Sequence, residues 1–598
     1  MKYRKDIDAL KGLSIIAVVL YHIGLLKSGY LGVDVFFVIN GFLIIPGLCN
    51  KIGADEFNYF AFLKKRVTRL LPMVVLASIA CLIIGYFGML PDNFENLAES
   101  VVASNLFSEN ILSAITTKNY WNAANDYKPL MHMWYVGVLF EFYLVFPVIL
   151  LIARWFVGRM RVQSKNFLPH IVAGICLFSL IVYLLPYFSD SEKFYYLPFR
   201  LFEISLGGLA GIFYNEQRSK TDLNWMWITL LIFLVFSSVL TFNLENIGNQ
   251  MPVIGGGSNF ENTGLIAHKS TLLILVVLMS SVVVSRNNSS NFLLRSTVLS
   301  EIGKRSYSIF VWHQLFLAFY RYFVSSKVTI LFLIGYVTLV VIVSEASYRL
   351  VEKRVKDSNK SLVIWASLSV LTIVAASIIY FRAGVVRDVP EQNITVGNVH
   401  RNMHAKYVDR VYNYDIDFPD DKKMNVLVEG VSFGRDFANC LLESSYADSV
   451  NISYVHKWTE EALDRLREAD FIFTFSAKDK VPQYVWNNKK ESTEVWGIGT
   501  KNYGECNGII YSHRFADDYL STTIEPNPDY MKLNSQWKKD WGDNYIDFMG
   551  MAMDDSNRIR VFTPEGKFIS QDCEHLTEEG ARWYASIIPW ERIFEKNE

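Results

Sequence analysis

Six ionisable residues interrupt otherwise apolar runs: His22, Asp34, Glu141, Arg200, Glu203 and His313. A charge in the hydrocarbon of a bilayer costs about 2.5–3.5 kcal/mol on insertion scales, so a set of this kind calls for buried pairing or for chemistry. An imidazole can take and return a proton, and a carboxylate beside it can hold its orientation. His22 and Asp34 stand at similar distances from the short bend Lys27 to Leu31, so Asp34 is expected to orient the His22 ring. Glu141, Arg200, Glu203 and His313 are expected to touch substrate or to fix helix packing. Lys11 precedes His22 with ten residues between them, which at 100° per residue returns both to nearly one helix face, roughly 16 Å apart. That length is comparable to the pantetheine arm of coenzyme A, so Lys11 can meet a phosphate while His22 stands near a thioester.

A second set lies far downstream. Met424 to Ser432 has the pattern of a strand running into a tight turn with a serine at its tip, and Asp572-Cys573-Glu574-His575 precedes a helix near the C-terminus. A serine can attack an acyl carbonyl if a histidine takes its proton and an aspartate holds that imidazole. Asn502, after the strand ending near Gly499, and Ser476 are the candidates to complete an oxyanion hole.

The elements that must position these groups follow from composition. The chain has 598 residues, 51% of them hydrophobic, a formal net charge of −1 and a mean hydropathy of +0.19. It is too long for one core and more apolar than soluble proteins usually are, and it has no global basic field for nucleic acid. Runs long enough to span a bilayer recur near 8–27, 32–49, 71–90, 130–153, 168–186, 197–214, 224–242, 270–285, 306–325, 328–348 and 362–381. Basic residues fall on alternate connections, which places the N-terminus in the cytoplasm and, after eleven crossings, the C-terminus outside. The intervening loops, 91–127 and 243–269 among them, are acidic or rich in Gly and Asn. Met1 to Lys5 leads into the first run without a small-residue cleavage site, so that helix is expected to stay in the membrane.

From about Ala383 the composition becomes that of a soluble domain. Strands are expected at 424–429, 451–455, 471–476 and 494–498, with helices at Glu460 to Ala469 and Glu578 to Ile588, the pattern of a doubly wound α/β fold. The expected units are a membrane domain over 1–355, a further spanning helix and linker over 356–382, an extended linker over 383–423 and the α/β domain over 424–598. The six cysteines have no metal-ligand spacing, and no metal is expected. Cys440, Cys506 and Cys573 allow one disulfide at most.

The segments Tyr3 to Lys11 with His22, Gly32 to Phe42, Phe62 to Pro72, Pro129 to Phe146, Tyr196 to Arg200 and Ile302 to His313 together resemble the membrane-bound acyltransferase 3 family, of the O-antigen and peptidoglycan O-acetyltransferase type. The resemblance covers about 1–355. It implies a polytopic helical fold that takes an acyl group, often acetyl, from cytoplasmic acyl-CoA and passes it to a carbohydrate. By position it assigns the basic-x10-His motif to Lys11 and His22, a basic patch to Arg66 and Arg69, and polar helix positions to Arg200 and Glu203. Asn40 stands where serine is usual, and Leu139 and Phe140 stand where an acidic pair is common, with Glu141 one step later.

The serine after the first strand and the Asp-x-x-His before the last helix are similar to the SGNH hydrolase-like fold, a flavodoxin-like three-layer architecture. Val431 departs from the usual Gly-Asp-Ser. Together these resemblances imply an O-acyltransferase of the bacterial cytoplasmic (inner) membrane, with acetyl-CoA or another acyl-CoA as donor and a cell-envelope polysaccharide, such as that of lipopolysaccharide, as acceptor. Ser432, Asp572 and His575 would serve the final transfer. Two other classes fit parts of the pattern: a transporter or flippase of a glycan or lipid-linked intermediate, and a membrane-anchored carbohydrate esterase. A carrier leaves Ser432 with His575 unexplained.

Overall fold

The computed structural model describes residues 3–116, 127–159, 167–214, 263–286, 295–355, 358–399, 403–459 and 462–595. Its N-terminal part is a helical bundle: α1 Lys5–His22, α2 Gly32–Gly53, α3 Tyr59–Gly88, α4 Pro91–Asn105, α5 Glu109–Thr116, α6 Trp134–Arg159, α7 Leu168–Leu184, α8 Asp190–Tyr195 and α9 Leu201–Ile212. After the undescribed stretch follow α10 Thr263–Val284, α11 Thr297–Lys304, α12 Ser306–Phe323, α13 Ile330–Ser347 and α14 Asn359–Phe381. Ten of the expected apolar runs coincide with helices, and the run 224–242 lies outside the described residues. Among the described residues five helices are long and apolar enough to cross a membrane: Lys27–Gly53, Tyr59–Gly88, Met131–Val157, Ile330–Glu352 and Asn359–Phe381. The chain is therefore of multi-pass membrane type.

The stretch 91–127, expected as a loop, begins instead with two packed helices. Phe94, Leu97, Ala98 and Val101 recur at helical spacing and are buried. Asn105 at the end of α4 donates to Ser78 Oγ of α3 at 2.8 Å and accepts from Ser369 Oγ of α14 at 2.9 Å, so a polar tip is satisfied inside the bundle. Apolar spacing was masked there by acidic residues on the other face. Close helix contact depends on small residues: a Cβ on Gly41 would strike the Ile204 carbonyl of α9.

The C-terminal part is an α/β domain with strands β1 Met424–Glu429, β2 Val450–Val455, β3 Phe471–Thr474, β4 Glu494–Ile498, β5 Thr523–Ile524, β6 Tyr545–Ile546 and β7 Ile559–Arg560. The main sheet has the order β2-β1-β3-β4-β6, all parallel, with Val426 opposite Ile452 on one side and Phe471 on the other. β5 and β7 form a separate antiparallel pair. The order changes direction between β1 and β3, the position where ligands bind beyond the strand ends in doubly wound sheets. Ser432 begins the helix Ser432–Leu442 just past β1. β6 has two residues, too few for a sequence signal.

This domain rests on one end of the bundle. Tyr322 Oη accepts from the Leu90 amide at 3.1 Å while its ring covers Gly508, Ser512 Oγ donates to the Phe323 carbonyl at 2.8 Å, and Gln571 donates to Asp92. The expected extended linker takes part: Val385, Val389 and Val411 are buried, and Met403–Asp409 is helical.

Candidate active site

Among the described residues, two cavities of the bundle are separated by aromatic side chains. The larger, about 380 Å³, lies toward the end away from the C-terminal domain and is lined by Lys11, Arg66, Arg69, Lys304 and Lys353, with Asp8 and Glu352. Lys11 is paired with Asp8 at 3.1 Å and Lys304 with Glu301 at 2.7 Å. Arg66, Arg69 and Lys353 have no hydrogen-bond or ion-pair partner among the described residues, and Arg66 Nε is buried without one. Three cations without an ion-pair partner thus face one cavity, Arg66 partly buried and Arg69 and Lys353 exposed. The Arg66 guanidinium lies over Phe62 and Tyr143, 5.0 and 5.3 Å from their centroids, which fixes its plane. The deep wall is Tyr135 and Phe310. Asn40, the departure from serine, donates to Tyr135 Oη at 2.9 Å and so braces that wall.

Behind the wall lie three imidazoles. His22 closes α1, His313 stands on α12, and His132 sits in the turn Met131–Met133 that leads into α6. The His22 and His313 ring centroids are 5.1 Å apart, and those of His132 and His313 are 5.5 Å apart. Phe310 lies 5.0 Å from the His132 ring, so the aromatic wall touches the histidine cluster directly. Arg321 donates to the His22 carbonyl at 2.9 Å and pins the end of α1. A second cavity of about 80 Å³, on the far side, is lined by His22, Asp34, Arg200 and Trp134.

Asp34 does not orient His22. The Arg200 guanidinium reaches Asp34 Oδ1 at 3.0 Å and Glu203 Oε1 at 2.8 Å, and all three side chains are buried. Its charge lies 4.9 Å from the Phe194 ring. A full cation is a stronger partner for a carboxylate in an apolar setting than a neutral imidazole, so α9 captures Asp34. The two residues share a cavity, but His22 has His313 as its neighbour. Glu141 lines neither cavity; Asn110 donates to it at 2.8 Å and ties α5 to α6.

In the C-terminal domain, His575 Nδ1–H donates to Asp572 Oδ2 at 2.7 Å, leaving Nε2 bare, the tautomer a general base requires. Burial alone would raise the Asp572 carboxyl, but the hydrogen bond and charge of His575 and the amides of His575 and Glu574 hold it below the usual carboxylate range. Ser432 makes no hydrogen bond to His575. It stands one turn before Asp436, whose carboxylate accepts from the Leu576 amide at 2.9 Å, so serine and histidine belong to adjoining elements. Asn502 is folded back on Gly504, each donating to the other at 3.3 Å, and Ser476 offers its carbonyl to Trp541 at 3.1 Å. The Asn502 side-chain amide is thus engaged by its own loop. Cys440, Cys506 and Cys573 are all free thiols.

The family model described as an acyltransferase domain, the acyltransferase 3 model, matches residues 4–381, more than half of the chain. The chain belongs to this acyltransferase family. The match ends on the last residue of α14, so the helix read as an addition to the membrane domain lies within it. Among similar proteins, OatA, named as an O-acetyltransferase of Staphylococcus aureus strain NCTC 8325, is 26% identical over 374 residues, 60% of this chain and 58% of OatA. SAR0937 of strain MRSA252, a candidate O-acetyltransferase by its name, is 23% identical over 446 residues, 71% of this chain and 68% of that protein. The chain thus spans under two thirds of OatA. No solved structure matches it.

Within this acyltransferase, sequence reasoning overlooked His132 and the buried pair Lys501–Asp436. His132 carries the same signal as His22, an ionisable side chain in an apolar run, but stands at the run's first turn, where polar residues are ordinary. Lys501 Nζ lies 2.8 Å from Asp436 Oδ2 and 3.5 Å from the centroid of Phe433, the neighbour of Ser432. The pair joins the loop after β4 to the serine-bearing helix.

Proposed function

We propose that the chain is a bacterial O-acyltransferase, in the first instance an O-acetyltransferase, that moves an acyl group from cytoplasmic acyl-CoA to a hydroxyl of a cell-envelope polysaccharide. The observation that carries this is the cation-lined cavity ending on Tyr135 and Phe310, with His132 and His313 against Phe310 and His22 one ring further on. Arg66, Arg69 and Lys353 would take the CoA phosphates, Lys11 would flank them, and the pantetheine arm would lead the thioester toward His22. His22 would act as the base that removes the attacking hydroxyl proton while the C–S bond breaks and the thiolate leaves. With eleven spans in the cytoplasmic membrane, the N-terminus inside and the C-terminal domain outside, the donor cavity would face the cytoplasm. The parallel order β2-β1-β3-β4-β6 and the His575–Asp572 pair favour an SGNH-like domain in which Ser432 carries the acyl group to the final acceptor as an ester.

The test uses full-length protein in proteoliposomes with labelled acetyl-CoA inside and envelope polysaccharide outside. His22→Ala should reduce thiol release and ester formation together by about 10²–10⁴-fold. Ser432→Ala should abolish polysaccharide ester while thiol release falls to the rate at which water takes the acyl group. Unchanged thiol release in the His22 variant would overturn the membrane assignment, and unchanged ester in the Ser432 variant would remove the second step.

A further inference from the structure

Two buried imidazole nitrogens beside His22 are bare. His313 Nδ1 lies 2.7 Å from the Phe310 carbonyl and 3.1 Å from that of Ile309. A nitrogen facing carbonyls carries the proton, so Nδ1–H donates and Nε2 keeps its lone pair. His313 is fully buried, and Nε2 has no partner. His132 is fixed the other way: Nε2 lies 3.1 Å from the Val311 carbonyl, and its buried Nδ1 is unpartnered. Buried acceptors without a donor are rare, because each forfeits a hydrogen bond it would have in water. The backbone of α12 thus fixes the tautomers of both rings.

The nearest ring that can supply an N–H to His313 is His22. Two imidazoles joined by an N–H···N bond have centroids roughly 5 Å apart; these two stand at 5.1 Å, tilted by 58°. Asp34 is held by Arg200 and does not compete. Resting on the reading of His22 as the base, we propose that His313 is its positioning residue: the bare Nε2 accepts the His22 N–H, which turns the opposite, unprotonated nitrogen of His22 toward the reacting hydroxyl. The serine-hydrolase arrangement is reproduced with a neutral imidazole in place of the carboxylate. Such a partner orients the base without adding a second charge to an apolar interior.

Two amide substitutions separate this role from a structural one. Glutamine places an acceptor near the position of Nε2, whereas asparagine replaces only the Nδ1–H donor that meets the α12 carbonyls. In full-length protein with acetyl-CoA, His313→Asn should lower kcat about 10²-fold or more with the acetyl-CoA KM within about twofold, and His313→Gln should recover at least about tenfold of that loss. The reverse order, with asparagine active and glutamine inactive, overturns the proposal, as does full activity in both. If His22→Ala abolishes transfer while His313→Asn does not, the proposal fails and the function stands. Nitrogen-15 spectra of histidine-labelled wild-type protein decide the matter where variants do not fold or where no transfer is measured: a hydrogen-bonded His22 N–H with His313 Nε2 as acceptor is expected, and a His22 N–H without an acceptor refutes it.

Discussion

The membrane site and the C-terminal site contain similar residue types but are in different states of assembly. In the bundle, His132 and His313 sit against Phe310 at the back of a cation-lined cavity with His22 beside them, and every buried carboxylate of the Asp34–Arg200–Glu203 group faces its counter-ion. In the α/β domain the histidine and aspartate are joined, but Ser432 is unlinked and Asn502 is turned onto its own loop. Environment accounts for the contrast. An ionisable group in an apolar bundle is tolerated only where neighbours are built around it. A group at the edge of a water-exposed sheet can wait for substrate to complete its contacts, since water satisfies it meanwhile.

The strongest way to break this comparison is to open the bundle's charge group. Arg200→Leu removes the cation between Asp34 and Glu203 and leaves two buried carboxylates facing each other. The expected cost is about 3–5 kcal/mol, read as a large fall in folded yield and in the thermal midpoint of detergent-purified protein. Arg200→Lys should fall between, since one ammonium can replace the Nη1 that meets both carboxylates but not the Nε–H bond to the Phe194 carbonyl at 3.0 Å. A wild-type midpoint for Arg200→Leu would mean that the group is not what holds α2 to α9.

The C-terminal domain gives a gentler test, because it also keeps one buried acid without a cation. Glu429, at the end of β1, accepts from Thr474 Oγ1 at 2.6 Å, and burial pushes its carboxyl up to about 7. An unfolded glutamate titrates near 4.3. Between those values the folded chain holds a proton that the unfolded chain has lost, so this residue makes stability fall as pH rises from about 4.3 to 7, with no further change above. Glu429→Gln should flatten that slope and stabilise the domain at pH 8 by roughly 3 kcal/mol. Urea unfolding followed by tryptophan fluorescence at pH 5 and pH 8 measures it. An unaltered slope would show that Glu429 is ionised in the folded domain.

How far the sequence revealed the molecule follows the same division. His22, Asp34, Arg200, Glu203 and His313 stood out because each breaks an apolar run, and all five prove to be buried or to line a cavity. Which of them pair was not legible: α9 lies more than 150 positions from Asp34, and helix periodicity says nothing about distant neighbours. The helix α4 was hidden by acidic residues on its outer face, and α5, eight residues long, was too short to stand out. In the α/β domain β1 and β4 were readable to the residue from their apolar content, whereas β6 was too short. The position of Ser432 at a strand-to-helix turn was legible; its separation from His575 was not, because that depends on the packing of one turn against another.

The smallest expected effects concern the cation-lined cavity, and they sharpen the claim that its charges serve a ligand and not the fold. Arg66→Ala and Arg69→Ala remove cations that make no ion pair, so stability should change little, in contrast to Arg200. KM for acetyl-CoA should rise about tenfold for each, equivalent to about 1.4 kcal/mol, with kcat less affected. Higher salt should narrow the gap from wild type, because a partly open cavity is screened. Dephospho-acetyl-CoA, which lacks the 3′-phosphate, adds a double-mutant cycle: the arginine that meets that phosphate should lose nothing more when the phosphate is also removed, whereas the other arginine should show additive losses. Arg66→Lys should recover little, because Phe62 and Tyr143 hold a plane that an ammonium does not have. If both arginines could be removed without raising KM, the cations would have to be explained by the fold after all, and the donor would have to enter elsewhere.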